Sequence, residues 1–160
     1  MKLPRLLRGA TGRLLGKAAG HADARGRPVQ AAALPWRRAA ASGNEILLVT
    51  GRSGRRWIVP KGWPMRGKTL AEAAAQEAWE EAGVRGVAEE KPLGRFRHAK
   101  NHALLGRMDF TILLFPLEVA DEAAHWPEVA QRTRRWFAPE AAAREVASPA
   151  LAKLIRRFRP

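Results

Sequence analysis

PKGWPMRGKTLAEAAAQEAWEEAGV, running from Pro60 to Val84, is the stretch that decides how this chain reads. Thr69 is a candidate N-cap with Glu72 three residues on, the pattern in which side chain and backbone at both positions cap each other. Helix formers then run from Leu70 to Ala82. Gly83 is a natural stop, because glycine takes the left-handed conformation without a Cβ clash. The spacing predicts a helix over 70–82. On it Glu77, Glu80 and Glu81 stand at i, i+3 and i+4 and share one face. Three like charges so close repel one another, and a divalent cation bound through oxygen offsets that repulsion. The opposite face, Ala75, Trp79 and Ala82, is expected to pack inward. A solvated acidic face is the plainer reading of the string EAWEE. The Pro60-Lys61-Gly62 loop argues for the metal, since it can bring a backbone carbonyl to the same cation.

Working outward, Ile46 to Thr50 reads as a buried strand and Arg56 to Val59 as a short one stopped by Pro60. Residues 29–36, VQAAALPW, are apolar enough to start a sheet, and Gly51 to Gly54 is a turn. Residues 93–98 and 134–137 are further strand candidates. Phe110 to Val119 reads as a longer strand with Pro116 at an edge or bulge. Pro139 and Pro149 each sit where a helix begins, giving helices over 138–146 and 149–158. Strands, helix, strands, helices is an α+β order, an α/β/α sandwich. Residues 1–27 read as a basic N-terminal extension and residues 28–160 as one domain.

The 160-residue chain is 46% hydrophobic and 28% charged, which fits a single globular domain. It has no cysteine, so disulfides, thiolate metal sites and cysteine nucleophiles are excluded. Any metal is then a hard cation on carboxylates. The net charge of +14 favours anionic partners: polyphosphates, nucleic acid or anionic lipid. No apolar run approaches the roughly 20 residues of a membrane-spanning helix. The first residues, MKLPRLLRGATGRLLGKAAG, carry Lys2, Arg5, Arg8, Arg13 and Lys17 with leucines at near-helical spacing. They read as a plain extension, or as a basic amphipathic segment for membrane-surface contact or targeting. Absence of cysteine and of a secretory signal gives a cytoplasmic expectation.

From Gly62 to Val84 the sequence resembles a Nudix box. Gly62 opens it, and Glu77, Ala78, Glu80, Glu81, Gly83 and Val84 fall at the family's offsets. Two positions depart: Lys68 stands for a Glu and Gln76 for an Arg. The resemblance implies that this pair helps hold the loop to the helix. Changing both partners of an ion pair can be nearly neutral where losing one is costly, so the fold is expected to survive. Metal affinity and rate are what the two changes put in question. Leu47 to Val49, Arg56 to Pro60, Glu80 to Gly86 and Arg134 to Phe137 fall in the order of the diphosphoinositol polyphosphate phosphohydrolase branch, which the chain resembles over roughly residues 28–158.

The resemblance implies a Nudix fold, a mixed curved sheet flanked by the box helix and C-terminal helices. It implies Mg²⁺, or Mn²⁺, held by Glu77, Glu81 and the backbone carbonyl of Lys61, with Glu80 taking the proton of the attacking water. It implies a substrate rich in phosphate, such as a diphosphoinositol or diadenosine polyphosphate, and no obligate nucleic acid. Arg27, Arg52, Arg97, His98, Lys100 and Arg132 are the candidate substrate contacts, with His102 in the same basic stretch as Arg97. Trp63, beside the box, is a candidate substrate wall, whereas Trp57 and Trp136 read as core. Hydrolysis of nucleoside triphosphates or nucleotide-sugars shares the box. A weak or inactive Nudix module that binds RNA or a phosphorylated ligand is the non-enzymatic alternative.

Overall fold

The computed structural model describes residues 21–160, apart from residues 42 and 105 and the side chain of His102. The basic stretch over residues 1–20 lies outside the described residues.

Eight strands form one mixed sheet. In chain order they are β1 (Val29–Ala39), β2 (Gly43–Thr50), β3 (Trp57–Ile58), β4 (Lys61–Gly62), β5 (Val84–Ala88), β6 (Gly94–His102), β7 (Gly106–Glu122) and β8 (Arg134–Phe137). The spine of the sheet runs β3-β2-β1-β7-β5, with β4 also on β1, β6 on β7 and β8 on β2. β1 and β7 pair in parallel, Val29 to Trp36 against Thr111 to Glu118, and every other pair is antiparallel. Three helices are described: α1 (Leu70–Ala82), α2 (Pro139–Glu145) and α3 (Pro149–Arg157).

Strand periodicity assigns the two faces. Ala32, Leu34, Ile46, Leu48, Ile112 and Leu114 join Ala142, Leu151 and Ile155 beneath α2 and α3. Ala31, Ala33, Leu47, Val49, Phe115 and Leu117 join Ala71, Ala74, Ala78 and Ala82 beneath α1. The central strands are covered on both sides, which is why ILLV and AAAL read as unbroken apolar runs.

Four expectations are corrected. Pro116 lies in an interior strand, neither at an edge nor at the bulge, which falls between Arg85 and Gly86 of β5. Its missing N–H does no harm, because there β7 changes partner from β6, whose pairing reaches Leu114, to β5, whose pairing starts at Leu117. The Pro116 carbonyl still accepts from Glu89 N at 2.9 Å. Next, Val84–Ala88, not anticipated as a strand, pairs with the end of β7. Third, the strand expected over 93–98 runs on to His102, so that Lys100 too lies in β6 with Arg97 and His98. Last, the inward face of α1 is Ala71, Ala74, Ala78 and Ala82, while Ala75 and Trp79 are only half-buried.

Candidate active site

Both ends of α1 are fastened. Thr69 Oγ1 accepts from Glu72 N at 3.1 Å and the Glu72 carboxylate accepts from Thr69 N at 2.7 Å, so the expected capping box forms. At the other end Gly83 sits at φ 65°, and its N–H donates to Trp79 O. The remaining end carbonyls lack partners within the helix and draw donors from the β7–β8 connection and the first residue of β8. Glu80 O accepts from Glu128 N at 3.0 Å, Glu81 O from Trp126 Nε1 at 3.2 Å, and Ala82 O from Arg134 at 2.8 Å. Capping the helix therefore also brings Glu128 and Arg132 to its acidic face.

On that face Glu77 abuts the short strand β4. An ideal methyl built on Gly62 would lie 1.9 Å from Glu77 Oε1, so only a glycine lets the carboxylate in. Burial, then the charges of Glu81, Glu80 and Glu128, push Glu77 up to about 7 from 4.5. Glu81 is 6% exposed, and burial pushes it up too, opposed mainly by Arg132. Its Oε1 accepts from Arg132 at 2.6 Å and its Oε2 from Lys61 N at 3.2 Å.

Arg132 itself is 9% exposed, and its guanidinium also donates to Glu128 and to Thr50 O. This spends the fork inside the protein. Arg132 holds carboxylates in place here rather than reaching outward to a substrate, as had been expected of it. Burial raises Glu128, but hydrogen bonds from Arg132 and Arg52 outweigh this and bring it below its usual value.

Glu77 and Glu81 fit a hard divalent cation: they are carboxylates withdrawn from water and close to like charges, and bound oxygen-seeking positive charge would offset both penalties. The backbone contact that Lys61 makes with the cluster is through its N–H. Among the described residues no three acidic or imidazole side chains converge on one point. The reason is visible in the bonding: Glu81 is turned to Arg132 and Glu80 to Gln76, whose Nε2 donates to Glu80 Oε1 at 2.7 Å. The two motif departures meet, Lys68 Nζ donating to Gln76 Oε1 at 3.3 Å, so the tie between loop and helix survives in a different chemistry.

The candidate substrate contacts divide into two groups. His98 and Lys100 alternate with Arg97 along β6 and so project from the opposite face. His98 is half-buried; burial, then the charges of Lys61 and Lys100, lower its pKa. Lys61 is lowered by burial and by Arg132 and Lys100, against the pull of Glu81. Lys61, His98 and Lys100 thus lie within reach of one another's charge, with Lys61 beside Glu81 and Glu77 of the acidic helix. Trp63 packs edge-on against Phe110 with ring centroids 5.6 Å apart.

Arg27 and Arg97 sit elsewhere, around a cavity of about 600 Å³ shared with Arg25, Arg95, Phe96 and Ser148. Asp23 organises one wall: it accepts from the backbone of Arg25 and Arg27, from Arg27 Nε at 2.8 Å and from Thr111 Oγ1 at 2.6 Å. Those bonds, that of Thr111 foremost, hold its carboxyl well below the usual range. Arg97 pairs with Asp109 at 3.3 Å, and Arg52, 72% exposed, with Glu128 at 3.2 Å. Arg25 and Arg95 have no ion pair among the described residues.

Sequence reading missed Glu128. The signal for it is faint: an acid after Trp126-Pro127, four residues before an arginine, in a connection with no motif of its own.

The NUDIX domain profile matches residues 20–158. Nudix hydrolase 4 of Arabidopsis thaliana is 38% identical over 103 residues, 64% of this chain and 47% of the relative. Nudix hydrolase 12, mitochondrial, of the same plant is 37% identical over 99 residues, 58% of this chain and 47% of the relative. The chain thus spans about half the length of these curated relatives. A C. elegans Ap4A hydrolase binary complex superposes with a TM-score of 0.59 at 22% identity, covering 81% of this chain and 93% of that one. E. coli dihydroneopterin triphosphate pyrophosphohydrolase gives 0.60 at 18% identity, covering 82% and 94%. At such identities these structures speak for the fold.

Proposed function

Since the chain belongs to the NUDIX domain family, we propose that it hydrolyses a phosphoanhydride bond in a small molecule carrying many phosphates, of the diphosphoinositol or diadenosine polyphosphate kind. The observation that carries this reading is the carboxylate face of α1 pressed on β4, with Glu77 raised to about 7 beside a buried Glu81. Glu77, Glu81 and the Lys61 carbonyl would hold Mg²⁺ or Mn²⁺. Such a cation, when bound, offsets phosphate charge and lowers the pKa of a water ligand.

The chain's own groups account for the rest. Glu80 accepts the proton as a water oxygen bonds to phosphorus and the bridging oxygen leaves with the departing phosphate. Lys61, beside Glu81 and Glu77, and Lys100 near it offer positive charge to a phosphate, and His98 next to them offers a ring N–H. The arginine-lined cavity beyond β6 supports a substrate with phosphates remote from the cleaved bond, since guanidinium forks pair with phosphate oxygens two at a time. Trp63, braced by Phe110, offers a wall for a base, which favours the adenosine members of the class.

The test compares a diphosphoinositol polyphosphate, a diadenosine polyphosphate and a nucleoside triphosphate, each with Mg²⁺, for the native chain and Glu80→Gln. Turnover of one of the first two, largely abolished in Glu80→Gln, is the expected result. Equal rates on the plain triphosphate would refute the substrate class. No turnover of any substrate with Mg²⁺ or Mn²⁺ would make the chain a binding module.

A further inference from the structure

Three side chains form an unbroken line. The Lys68 ammonium donates to Gln76 Oε1 at 3.3 Å, and Gln76 Nε2 donates to Glu80 Oε1 at 2.7 Å. Gln76 and Glu80 are one turn apart on α1, while Lys68 sits in the connection just ahead of the Thr69 cap. The end groups permit only one polarity. An ammonium has donors and no acceptor, and an ionised carboxylate has acceptors and no donor. Whatever stands between them must accept at one side and donate at the other, which a side-chain amide does. An arginine at position 76 would have nothing to offer Lys68 but another positive charge. A glutamate there would satisfy Lys68 and repel Glu80.

We propose that Lys68 and Gln76 work as one unit that aims the Glu80 carboxylate, Lys68 fixing the amide so that its nitrogen, not its oxygen, faces Glu80. The idea rests on the reading of Glu80 as the proton acceptor. Lys68 and Gln76 are positioning residues in it, acting through Glu80. The two departures from the box motif then amount to a single coupled change. A Glu at 68 requires a pure donor at 76, and a Lys at 68 requires an amide.

The coupling has a distinctive signature under exchange. In Lys68→Glu the amide turns round to donate to the new carboxylate and sets its oxygen against Glu80. In Gln76→Arg two cations face each other and the side chain swings off line. Each single variant should lose about tenfold or more in kcat, part of the 10²–10⁴ that a positioned general base supplies, with KM little changed. The double variant, Lys68→Glu with Gln76→Arg, rebuilds the line as Glu–Arg–Glu and should recover to within about threefold of the native kcat. Thermal unfolding should differ little across the set, since this chain of bonds lies at the surface of the helix.

A second readout needs neither metal nor turnover. In ¹⁵N-labelled native protein the Gln76 side-chain amide, identified by its loss in Gln76→Met, should show a hydrogen-bonded proton that shifts in both Lys68→Glu and Glu80→Gln. Single exchanges that keep the native kcat, a double variant no faster than the slower single, or an amide signal indifferent to residues 68 and 80 would each overturn the proposal. Failure of the underlying reading looks different: Glu80→Gln would keep the native rate whatever stands at 68 and 76.

Discussion

Gly62→Ala isolates the geometry of the acid cluster from its chemistry. The added methyl would stand 1.9 Å from Glu77 Oε1, and real Cβ atoms do not come closer than 3.0 Å, so the carboxylate must retreat by about 1.1 Å. The backbone at 62 has no need of glycine otherwise: the residue lies in a strand, and its φ is not positive. A strand alanine is favoured over glycine by up to about 1 kcal/mol, and Glu77 yields at the free end of a flexible side chain. Stability should therefore hold within about 1 kcal/mol. Activity should not. A displacement of about 1 Å in a catalytic constellation costs on the order of 10²-fold, and kcat/KM with Mg²⁺ should fall by about that factor. Turnover of the best substrate at saturating Mg²⁺ and thermal unfolding, measured on the same preparation, separate the two effects. A folded Gly62→Ala protein with kcat/KM within about threefold of native would refute the claim that Glu77 must sit against β4.

Glu77, raised from 4.5 to about 7, keeps its proton in the folded chain at pH values where the unfolded chain has lost it. In EDTA, Glu77's contribution to stability should be full below about pH 4.5 and be lost as pH rises through about 7, and Glu77→Gln should flatten that part of the decline in a melting series. Mg²⁺ should then stabilise more at pH 8 than at pH 6, because binding needs the deprotonated acid; equal shifts at both would count against Glu77 as a ligand. Arg132→Met strips the counter-charge from buried Glu81 and should cost about 3–5 kcal/mol in urea unfolding. Adding Glu81→Met should return most of it, and a single-variant cost below about 1 kcal/mol would show that Glu81 is not held as described.

Local rules reached the helix and stopped short of its surroundings. The limits of α1 are set by Thr69, Glu72 and Gly83, all inside one short stretch, so the sequence alone determines them. The three glutamates follow from that helix by spacing. The first half of β6 was legible as a strand over 93–98, but its continuation to His102 was hidden because Arg95, Arg97, Ala99 and Asn101 stand on its open face, and the polar alternation of an edge strand looks like a loop until its partner β7 is known. β5 was hidden by brevity and by Gly86, whose ideal methyl would meet Glu118 O at 2.0 Å and which is there for close approach to β7. Glu128 and Arg132 became part of the site through tertiary satisfaction: the end of α1 needed donors for its carbonyls, and the segment supplying them is far along the chain. Arg132 shows the same limit from the other side. An arginine in a connecting segment reads as exposed until a buried carboxylate is found for it to neutralise.

That pairing bears on how an acidic cluster persists in so basic a chain. The net charge of +14 draws polyanions in from a distance, but the reach of that field is about 8 Å at physiological salt. At contact a phosphate would meet Glu77, Glu80, Glu81 and Glu128, which repel it unless positive charge intervenes. Arg132 supplies it from beneath, bound to Glu81 and Glu128 and closed off from solvent. It keeps the cluster folded, yet by holding one oxygen of Glu81 it also competes for that ligand. Lys61 N holds the other oxygen. A cation bound at the site proposed above would therefore share Glu81 with partners already in place. It would find Glu77, crowded by like charges and holding no side-chain hydrogen bond or ion pair among the described residues, the readier carboxylate to take. On this arrangement Arg132 secures the acid cluster by neutralising Glu81 and Glu128, while Glu77 carries the unrelieved repulsion within it.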